Sequence, residues 1–256
     1  MNDRNAETVI INTDSLFPPS TASDMWGNRK KAYFAYEQPG VPLCSIVVQS
    51  YNRLNKTKYC VECILNYSKD VDYELILVDN GSTDGTFEFF QSVLHEKKKI
   101  IRVTKNMGAA FPLPHIRTHA SGKYIVLVNN DIYVTKNWLS NLLKCYESDP
   151  RIGFAEPVSS NVSNSQQVDM PFDNFVEMQK KAAKFNNSDP SKWDERLRLI
   201  SLLNIMRRDV LDIVGTYDPA FVHDFAEDDL AIRLRRAGYK LVLCGDTWIH
   251  HDHDFR

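Results

Sequence analysis

Glycine is scarce in this sequence, with 10 among 256 residues, and no glycine-rich phosphate loop occurs. Neither G-x-G-x-x-G nor G-x-x-x-x-G-K-[ST] is present, and the patterns G-x-S-x-G and H-E-x-x-H are also missing. Each of these patterns marks one kind of phosphate-binding, nucleophilic or zinc-dependent chemistry. The sequence therefore disfavours a dinucleotide-dependent dehydrogenase, a P-loop enzyme, a serine hydrolase and a zinc protease.

The sequence also lacks an excess of charge of either sign, and it lacks long apolar runs. The chain has 33 acidic and 31 basic side chains, a net charge of −2, whereas general nucleic-acid binders are clearly basic. No run approaches the ~20 apolar residues of a membrane span, and the N-terminus has no secretory pattern. We expect a cytoplasmic protein without a nucleic-acid partner or a transmembrane segment.

The five cysteines are too few and odd in number for a disulfide framework, so we expect reduced thiols. Cys60 and Cys63 form a C-x-x-C pair, which could be a redox pair or half of a zinc site. No second pair accompanies them. This favours the alternative that they are two small apolar residues one helical turn apart.

Apolar runs alternate with helical patterns from residue 43 onward. Runs at 43–51, 73–82, 99–106 and 123–131 predict strands, and segments 54–67, 86–97 and 138–148 predict helices. This alternation is typical of a mostly parallel sheet with helices on both faces, an α/β fold. We interpret residues 1–40 as an arm on a domain of residues 41–256. The domain divides into a first half, 41–135, and a second half, 136–256.

Polar clusters follow all four predicted strands. In parallel sheets, ligands bind at the carboxyl ends of the strands, so we expect these clusters to meet there. Asp79 could bind a base or ribose, or it could be a turn residue that caps the next helix. Asp131 could hold Mg²⁺ or Mn²⁺ together with a diphosphate, or it could end an ordinary turn. The candidate residues are Ser50, Tyr51, Asn52, Asp79, Asn80, Asn106, Asn129, Asn130 and Asp131.

Two further clusters lie near the C-terminal end. Glu227, Asp228 and Asp229 open a predicted helix, and three consecutive acids exceed what the helix dipole requires. One of them is expected to face a metal, a hydroxyl group or an arginine. A carboxylate at this position would stay ionised at neutral pH unless it is buried, as a general base must. After a predicted strand, the sequence WIHHDHDFR supplies three histidines that suit metal or phosphate contact, or form an exposed tail. These are His250, His251 and His253.

Together these motifs resemble family 2 glycosyltransferases of the GT-A fold, in order, over most of the chain. The most specific match is ELILVDNGSTDGT. The segments SIVVQSYNR, KNMG, GKYIVLVNNDIYVTKNWL, MRRDVLDIVGTYDPAF and AEDDLAIRLRRAGYK are also similar to family motifs. The resemblance implies a Rossmann-like half that binds the nucleotide and a second half that binds the acceptor and completes the catalytic site.

The resemblance also implies the reaction. Members transfer a sugar, with inversion, from a nucleotide diphosphate-sugar to a hydroxyl group, and we favour a UDP-sugar and a glycan or glycoconjugate acceptor. Bacterial relatives of this type build surface polysaccharides, and a peripheral contact with membranes stays open. Two alternatives remain: a nucleotidyltransferase acting on sugar phosphates, although residues 45–60 lack its glycine-rich loop, and a degenerate module that binds nucleotide or glycan.

Residue roles follow from the same resemblance. Asp79 and Asn80 would contact the nucleoside, with Tyr51 near the base, and Ser50, Asn52 and Asn106 are further expected donor contacts. Asp131 would hold Mn²⁺ or Mg²⁺, with Asn129 and Asn130 lining the site and one of the three histidines reaching the metal or phosphate. Asp228 is our choice for the base, with Glu227 or Asp229 as the next choices.

Other residues are weaker candidates. The family's Arg-Asn pair after the N-x-G step is missing, and we expect Arg117 to substitute for it. Segment 155–200 should shape the acceptor pocket, with Phe172, Phe175 and Trp193 as candidate sugar contacts.

Overall fold

Ten strands form one mixed sheet in the computed structural model, which describes residues 6–13, 41–221 and 225–253. The strands are β1 (Glu7–Ile11), β2 (Cys44–Ser50), β3 (Tyr73–Asn80), β4 (Lys98–Val103), β5 (Tyr124–Asn129), β6 (Ile132–Tyr133), β7 (Ile152–Ser159), β8 (Trp193–Arg196), β9 (Leu203–Arg207) and β10 (Lys240–His251). The helices of the described residues are α1 (Leu54–Tyr67), α2 (Thr86–Ser92), α3 (Leu113–His119), α4 (Trp138–Glu147), α5 (Phe175–Phe185), α6 (Arg208–Val214) and α7 (Ala226–Arg236), with a 3₁₀ turn at Pro190–Lys192.

The first half of the sheet is entirely parallel, as the sequence predicts. Its strand order is β1-β4-β3-β2-β5, and strands β2 and β3 consist almost wholly of buried residues. Ser50 pairs with Asp79, and Gln49 pairs with Asn129, so the polar ends of β2, β3 and β5 lie side by side. The edge strand β1 was not predicted. Residues 1–5 and 14–40, the rest of the expected arm, lie outside the described residues.

The second half of the sheet is mixed and was not predicted in this form. Strand β9 lies antiparallel between β5 and β7, and β10 runs parallel to β7. Strands β6 and β8 pair antiparallel with β10 at its two ends. The carboxyl end of β10 thereby comes beside the loop after β5, because β6 follows that loop directly.

Two local predictions are refined by the structure. Helix α2 ends at Ser92, short of the predicted residue 97, because Lys98 donates hydrogen bonds to the carbonyl groups of Phe90, Gln91 and Val93. All five cysteines are buried and free, and burial raises the pKa of Cys63 to about 12. This agrees with the interpretation of Cys60 and Cys63 as apolar helix residues. Across the described ranges, no helix combines the length and hydropathy needed to cross a membrane.

Candidate active site

A cavity of about 680 Å³ opens at the carboxyl ends of β2, β3 and β5. The strand ends supply most of its wall, and the loop after β4 supplies the rest. Six of the predicted donor contacts lie on this wall, together with Asp131. The lining residues are Gln49, Ser50, Tyr51, Arg53, Asn80, Lys105, Asn106, Met107, Gly108, Ala109, Asn129, Asn130 and Asp131.

Two buried polar atoms of this wall have no hydrogen-bond partner among the described residues. They are the hydroxyl oxygen of Ser50 and the side-chain carbonyl oxygen of Asn80. The Asn80 amide nitrogen donates to the side chain of Asn106 at 3.1 Å and to the carbonyl of Gly108 at 3.0 Å, which fixes its orientation. An unsatisfied buried group costs about 1–3 kcal/mol, so both atoms favour a polar ligand. The side chain of Tyr51 is half-exposed on the same wall and could stack on a flat base.

Two other predicted donor contacts, Asp79 and Asn52, lie outside the wall of this cavity and stabilise turns. The Asp79 carboxylate is fully buried, accepts the backbone N–H of Ser82 at 2.9 Å, and has its pKa raised by burial. Asn52 accepts the backbone N–H of Thr83 at 2.9 Å. These contacts agree with the turn interpretation of Asp79, and neither side chain lines this cavity. The Oδ2 atom of Asp79 lies 3.5 Å from Nε of Arg102 and has no hydrogen-bond partner among the described residues.

A second cavity of about 400 Å³ adjoins the first. The two share the wall residues Gln49, Arg53, Ala109, Asn129 and Asp131. Its other walls come from the loop before β9, from the segment around Tyr217, from the start of α7 and from the C-terminal end of β10. These residues are Ala110, Leu127, Ile200, Ser201, Leu202, Asn204, Tyr217, Phe221, Ala226, Glu227, His251 and His253.

Asp131 lies where the cavities meet. Its Oδ2 atom is 3.0 Å from Nη1 of Arg53 and 3.6 Å from Nε2 of His251. Burial alone would raise the pKa of Asp131, but His251 and Arg53 outweigh burial and hold the pKa below its usual value. The carboxylate is thus kept ionised at the junction, as a cation ligand must be.

The three histidines are placed differently, because side chains alternate between the faces of a strand. His251 lines the second cavity, and its Nδ1 lies 2.8 Å from the carbonyl of Asn161, which requires a proton on Nδ1 and turns Nε2 toward Asp131. His253 lines the same cavity. His250 points to the other side, where Nδ1 bonds Ser160 and the ring packs on Phe172. Of the three predicted candidates, the structure therefore places His251, and not His250, beside Asp131.

The three acids at the start of α7 also diverge. Glu227 lines the second cavity. Asp228 forms an ion pair with Arg198 at 2.6 Å, and Asp229 forms one with Arg233 at 2.6 Å within the helix. Successive helix positions differ by about 100°, so only part of such a triplet can face one site. The structure places Glu227 at the cavity, while the predicted base Asp228 is engaged with an arginine away from the cavity wall.

Three weaker candidates take structural roles. Arg117 pairs with Asp212, which links α3 to α6, and it lines a small apolar cavity elsewhere. Trp193 donates its indole N–H to Asp246 at 2.8 Å, toward the opposite end of β10 from the histidines. Phe175 stacks on Tyr59. The side chains expected to substitute for the family's Arg-Asn pair or to contact sugar are therefore engaged outside both cavities.

Sequence reasoning missed several residues of the site. Arg53 stands directly after Tyr51 and Asn52 in the motif SIVVQSYNR, and its charge at a strand end was the available signal. Lys105 follows β4 and adds a second cation to the first cavity. Glu156, buried in β7, lines neither cavity but was also missed; it accepts the Gln166 amide at 3.0 Å, and burial and the charge of Glu227 raise its pKa. No periodic pattern in the sequence indicated Glu156.

The fit of a divalent metal depends on Asp131 and His251. Within residues 6–13, 41–221 and 225–253, no group of three or more His, Cys, Asp or Glu side chains converges as a complete metal cage. One carboxylate oxygen and one oriented imidazole nitrogen nevertheless face each other at 3.6 Å, and the Asn161 carbonyl holds that imidazole as outer partners of metal-binding histidines do. The pair fits a metal whose remaining ligands come from a diphosphate.

Comparisons with known proteins agree with this architecture. A mannosyltransferase of Pyrobaculum calidifontis, solved with GDP-Man and Mn²⁺, has a TM-score of 0.63 and 19% identity, covering 93% of this chain and 68% of that one. GalNAc-T7, solved with UDP, GalNAc and Mn²⁺, has a TM-score of 0.67 and 12% identity, covering 84% and 44%. These likenesses show the GT-A fold.

Sequence relatives extend the comparison. An uncharacterized glycosyltransferase of Bacillus subtilis, YfnE, is 22% identical and covers 82% of this chain and 64% of its own length. The hyaluronan synthase of Pasteurella multocida is 29% identical over 48% of this chain and 13% of its own length. The chain thus spans less than two thirds of these relatives. The model of Glycosyl transferase family 2 matches residues 45–211, well over half of the sequence. The chain therefore belongs to Glycosyl transferase family 2.

Proposed function

We propose that this chain is an inverting glycosyltransferase that moves a sugar from a nucleotide diphosphate-sugar to a hydroxyl group. The observation that carries the proposal is the pair of cavities that meet at Asp131. The first offers unpartnered polar atoms for a nucleoside, and the second contains Glu227. A sugar linked to a diphosphate at the junction would lie between them.

In this arrangement each residue of the site has a separate role. Ser50 and Asn80 bind the nucleoside, and Tyr51 stacks on its base. Arg53 and Lys105 supply positive charge along the path of the diphosphate. Bound Mn²⁺ or Mg²⁺, held by Asp131 and His251, would neutralise negative charge that develops on the diphosphate. Mn²⁺ accompanies the nucleotide in both structural neighbours.

Glu227 is the proposed base, in place of Asp228. The acceptor oxygen attacks C1 of the sugar while the bond from C1 to the diphosphate oxygen breaks, and that bond's electron pair leaves with the diphosphate. The acceptor proton passes to the Glu227 carboxylate. One displacement with one base inverts the anomeric centre. A UDP-sugar donor and a glycan or glycoconjugate acceptor, as in surface polysaccharide synthesis, complete the proposal.

A panel of UDP-, GDP- and dTDP-sugars with Mn²⁺ and saccharide acceptors tests this function. We expect one donor to release nucleoside diphosphate, with an inverted linkage in the product by NMR. Glu227→Gln should lower kcat by roughly 10²–10⁴-fold while donor affinity is kept. The matched Asp228→Asn variant should change kcat by less than about 5-fold, because it breaks only a partly exposed ion pair.

Other outcomes contradict the proposal. Failure to bind any donor excludes it, and donor binding without transfer to any acceptor indicates a binding module. Release of pyrophosphate from a nucleoside triphosphate and a sugar phosphate indicates a nucleotidyltransferase. A loss of kcat in Asp228→Asn as large as that in Glu227→Gln removes the assignment of the base.

A further inference from the structure

Arg53 stands at the junction with an unusual backbone. It has φ 62° and ψ 44°, and Asn52 before it has φ 55°, so two consecutive non-glycine residues are left-handed. Residues other than glycine rarely adopt this conformation, and it persists only where neighbouring residues hold it. Here the Asn52 carbonyl accepts the Asn130 amide at 3.0 Å, and the Leu54 N–H donates to Asp84 at 2.8 Å. The fold therefore holds Arg53 beside Asp131.

The contact of Arg53 involves the atom that a metal would need. Arg53 Nη1 and His251 Nε2 both approach the same Oδ2 atom of Asp131. Among the described residues, the guanidinium makes only this one hydrogen bond, although it has five N–H donors. Its side chain is 45% exposed and lines both cavities, so it can turn without a backbone change.

We propose that Arg53 binds the donor diphosphate and that, in the ligand-free protein, it occupies the carboxylate of Asp131 in place of the metal. This rests on the proposed function. When nucleotide and metal bind, the guanidinium moves from Asp131 to the diphosphate, whose oxygens suit its planar fork. Because Arg53 and the cation compete for one oxygen, a metal alone binds poorly, and the nucleotide removes the competitor. Metal and nucleotide therefore bind cooperatively.

Titrations of wild type and Arg53→Gln test this directly, without turnover. Calorimetry measures UDP and GDP without metal, and electron paramagnetic resonance measures Mn²⁺ alone. We expect metal-free nucleoside diphosphate to bind roughly 10-fold more weakly to Arg53→Gln. Mn²⁺ alone should bind roughly 3-fold or more tightly, since a competing positive charge is gone. General damage to the site would weaken both ligands. A variant that binds the nucleoside diphosphate more weakly and Mn²⁺ more tightly therefore supports the proposed role of Arg53.

Two further variants complete the design. Arg235→Gln removes an exposed arginine of α7 that lines neither cavity, and it should change neither affinity. Arg53→Lys keeps the charge and should leave Mn²⁺ binding as in wild type while weakening diphosphate binding, and it replaces Arg53→Gln if that variant does not fold. Equal weakening of both ligands, or no change in either, overturns the role of Arg53. A wild type that binds neither ligand, even when Mn²⁺ and UDP or GDP are titrated together, overturns the proposed function instead.

Discussion

The two halves of the sheet differ in the direction of their strands and in the side chains that they present to the cavities. In the first half, strands are parallel, and polar atoms at their ends, such as Ser50 Oγ and Asn80 Oδ1, lack partners among the described residues. In the second half, strands are mixed, and Asp228 and Asp229 are paired with arginines. The first half resembles a preformed binding surface. The second half also contains buried atoms without a partner in the described part of the chain, Asn204 Oδ1 and Glu156 Oε1, but it differs in presenting the proposed base, Glu227, to its cavity.

Buried carboxylates sharpen this contrast. Glu74, in β3, accepts hydrogen bonds from the hydroxyls of Ser45 at 2.5 Å and Ser121 at 2.7 Å and lies 3.0 Å from Lys99. Burial would raise the pKa of Glu74, but these partners outweigh it and lower the pKa below 4.5. Burial instead raises the pKa of Glu156, in β7, well above 4.5 and so disfavours its charged form. The first half therefore stabilises the charged form of a buried glutamate, Glu74, whereas the second half disfavours the charged form of Glu156.

Glu74→Gln is the substitution with the largest expected effect on stability. It removes a charge that Lys99 and two hydroxyls satisfy, so we expect a loss of about 3–5 kcal/mol in the free energy of unfolding at pH 7. A folded pKa below the unfolded value means that this contribution is present above about pH 4.5 and is lost as pH falls through the folded pKa. Urea denaturation from pH 3 to 8 measures the difference, which should shrink toward acid.

Glu156→Gln is the counterpart in the second half, with the opposite sign. Because the folded pKa is raised, the stability linked to Glu156 is complete below pH 4.5 and declines as pH rises toward the folded pKa. Glutamine cannot ionise and keeps an acceptor for Gln166. Glu156→Gln should therefore be more stable than wild type at pH 7 and nearly equal at pH 4. Equal pH profiles for the two variants would contradict the contrast between the halves.

Two glycines test how tightly each half is packed at its turns. Gly81 has φ +80°, and a Cβ there would lie 2.7 Å from the backbone nitrogen of Asn106. Gly238 has φ +87° with nothing within 4 Å of such a Cβ. We expect Gly81→Ala to cost about 2–3 kcal/mol and Gly238→Ala about 1 kcal/mol, since both pay for the left-handed backbone but only one is crowded. Thermal and urea unfolding measure both, and equal losses would contradict the expected crowding at Gly81.

The first half was largely predictable from the sequence, and the physical reason is its parallel sheet. Strands β2 and β3 are buried on both faces, so they appear as continuous apolar runs, and their polar ends mark the ligand edge. The second half gave weaker signals. Strand β7 contains Glu156 and Pro157, and β9 contains Asn204, so neither shows the pattern of a buried strand.

The site residues of the two halves differ in the same way in how far they could be predicted. Ser50, Asn80 and Asn129 reach the cavity because strand ends fix their place. Which acid of α7 faces the site depends on the rotation of the helix. That rotation is set by burial of Leu230 and Leu234 and by the ion pair of Asp228 with Arg198, a residue of a distant loop. The separation of His250 from His251, by contrast, followed from strand alternation and was open to prediction.

The smallest expected effect compares two serines of β2. Ser50 Oγ is buried without a partner among the described residues, whereas Ser45 Oγ donates to Glu74 at 2.5 Å and accepts from the Gly122 N–H at 2.9 Å. Ser50→Ala should leave the free energy of unfolding unchanged or raise it by up to about 1 kcal/mol, yet weaken nucleoside diphosphate binding by roughly 3–10-fold. Ser45→Ala should lower stability by about 1–3 kcal/mol without changing that affinity. Calorimetric titration and urea unfolding of both variants decide the matter. If Ser50→Ala binds nucleoside diphosphate as tightly as wild type, the unpartnered Ser50 hydroxyl is not a ligand contact, and the end of β2 is not part of a preformed binding surface.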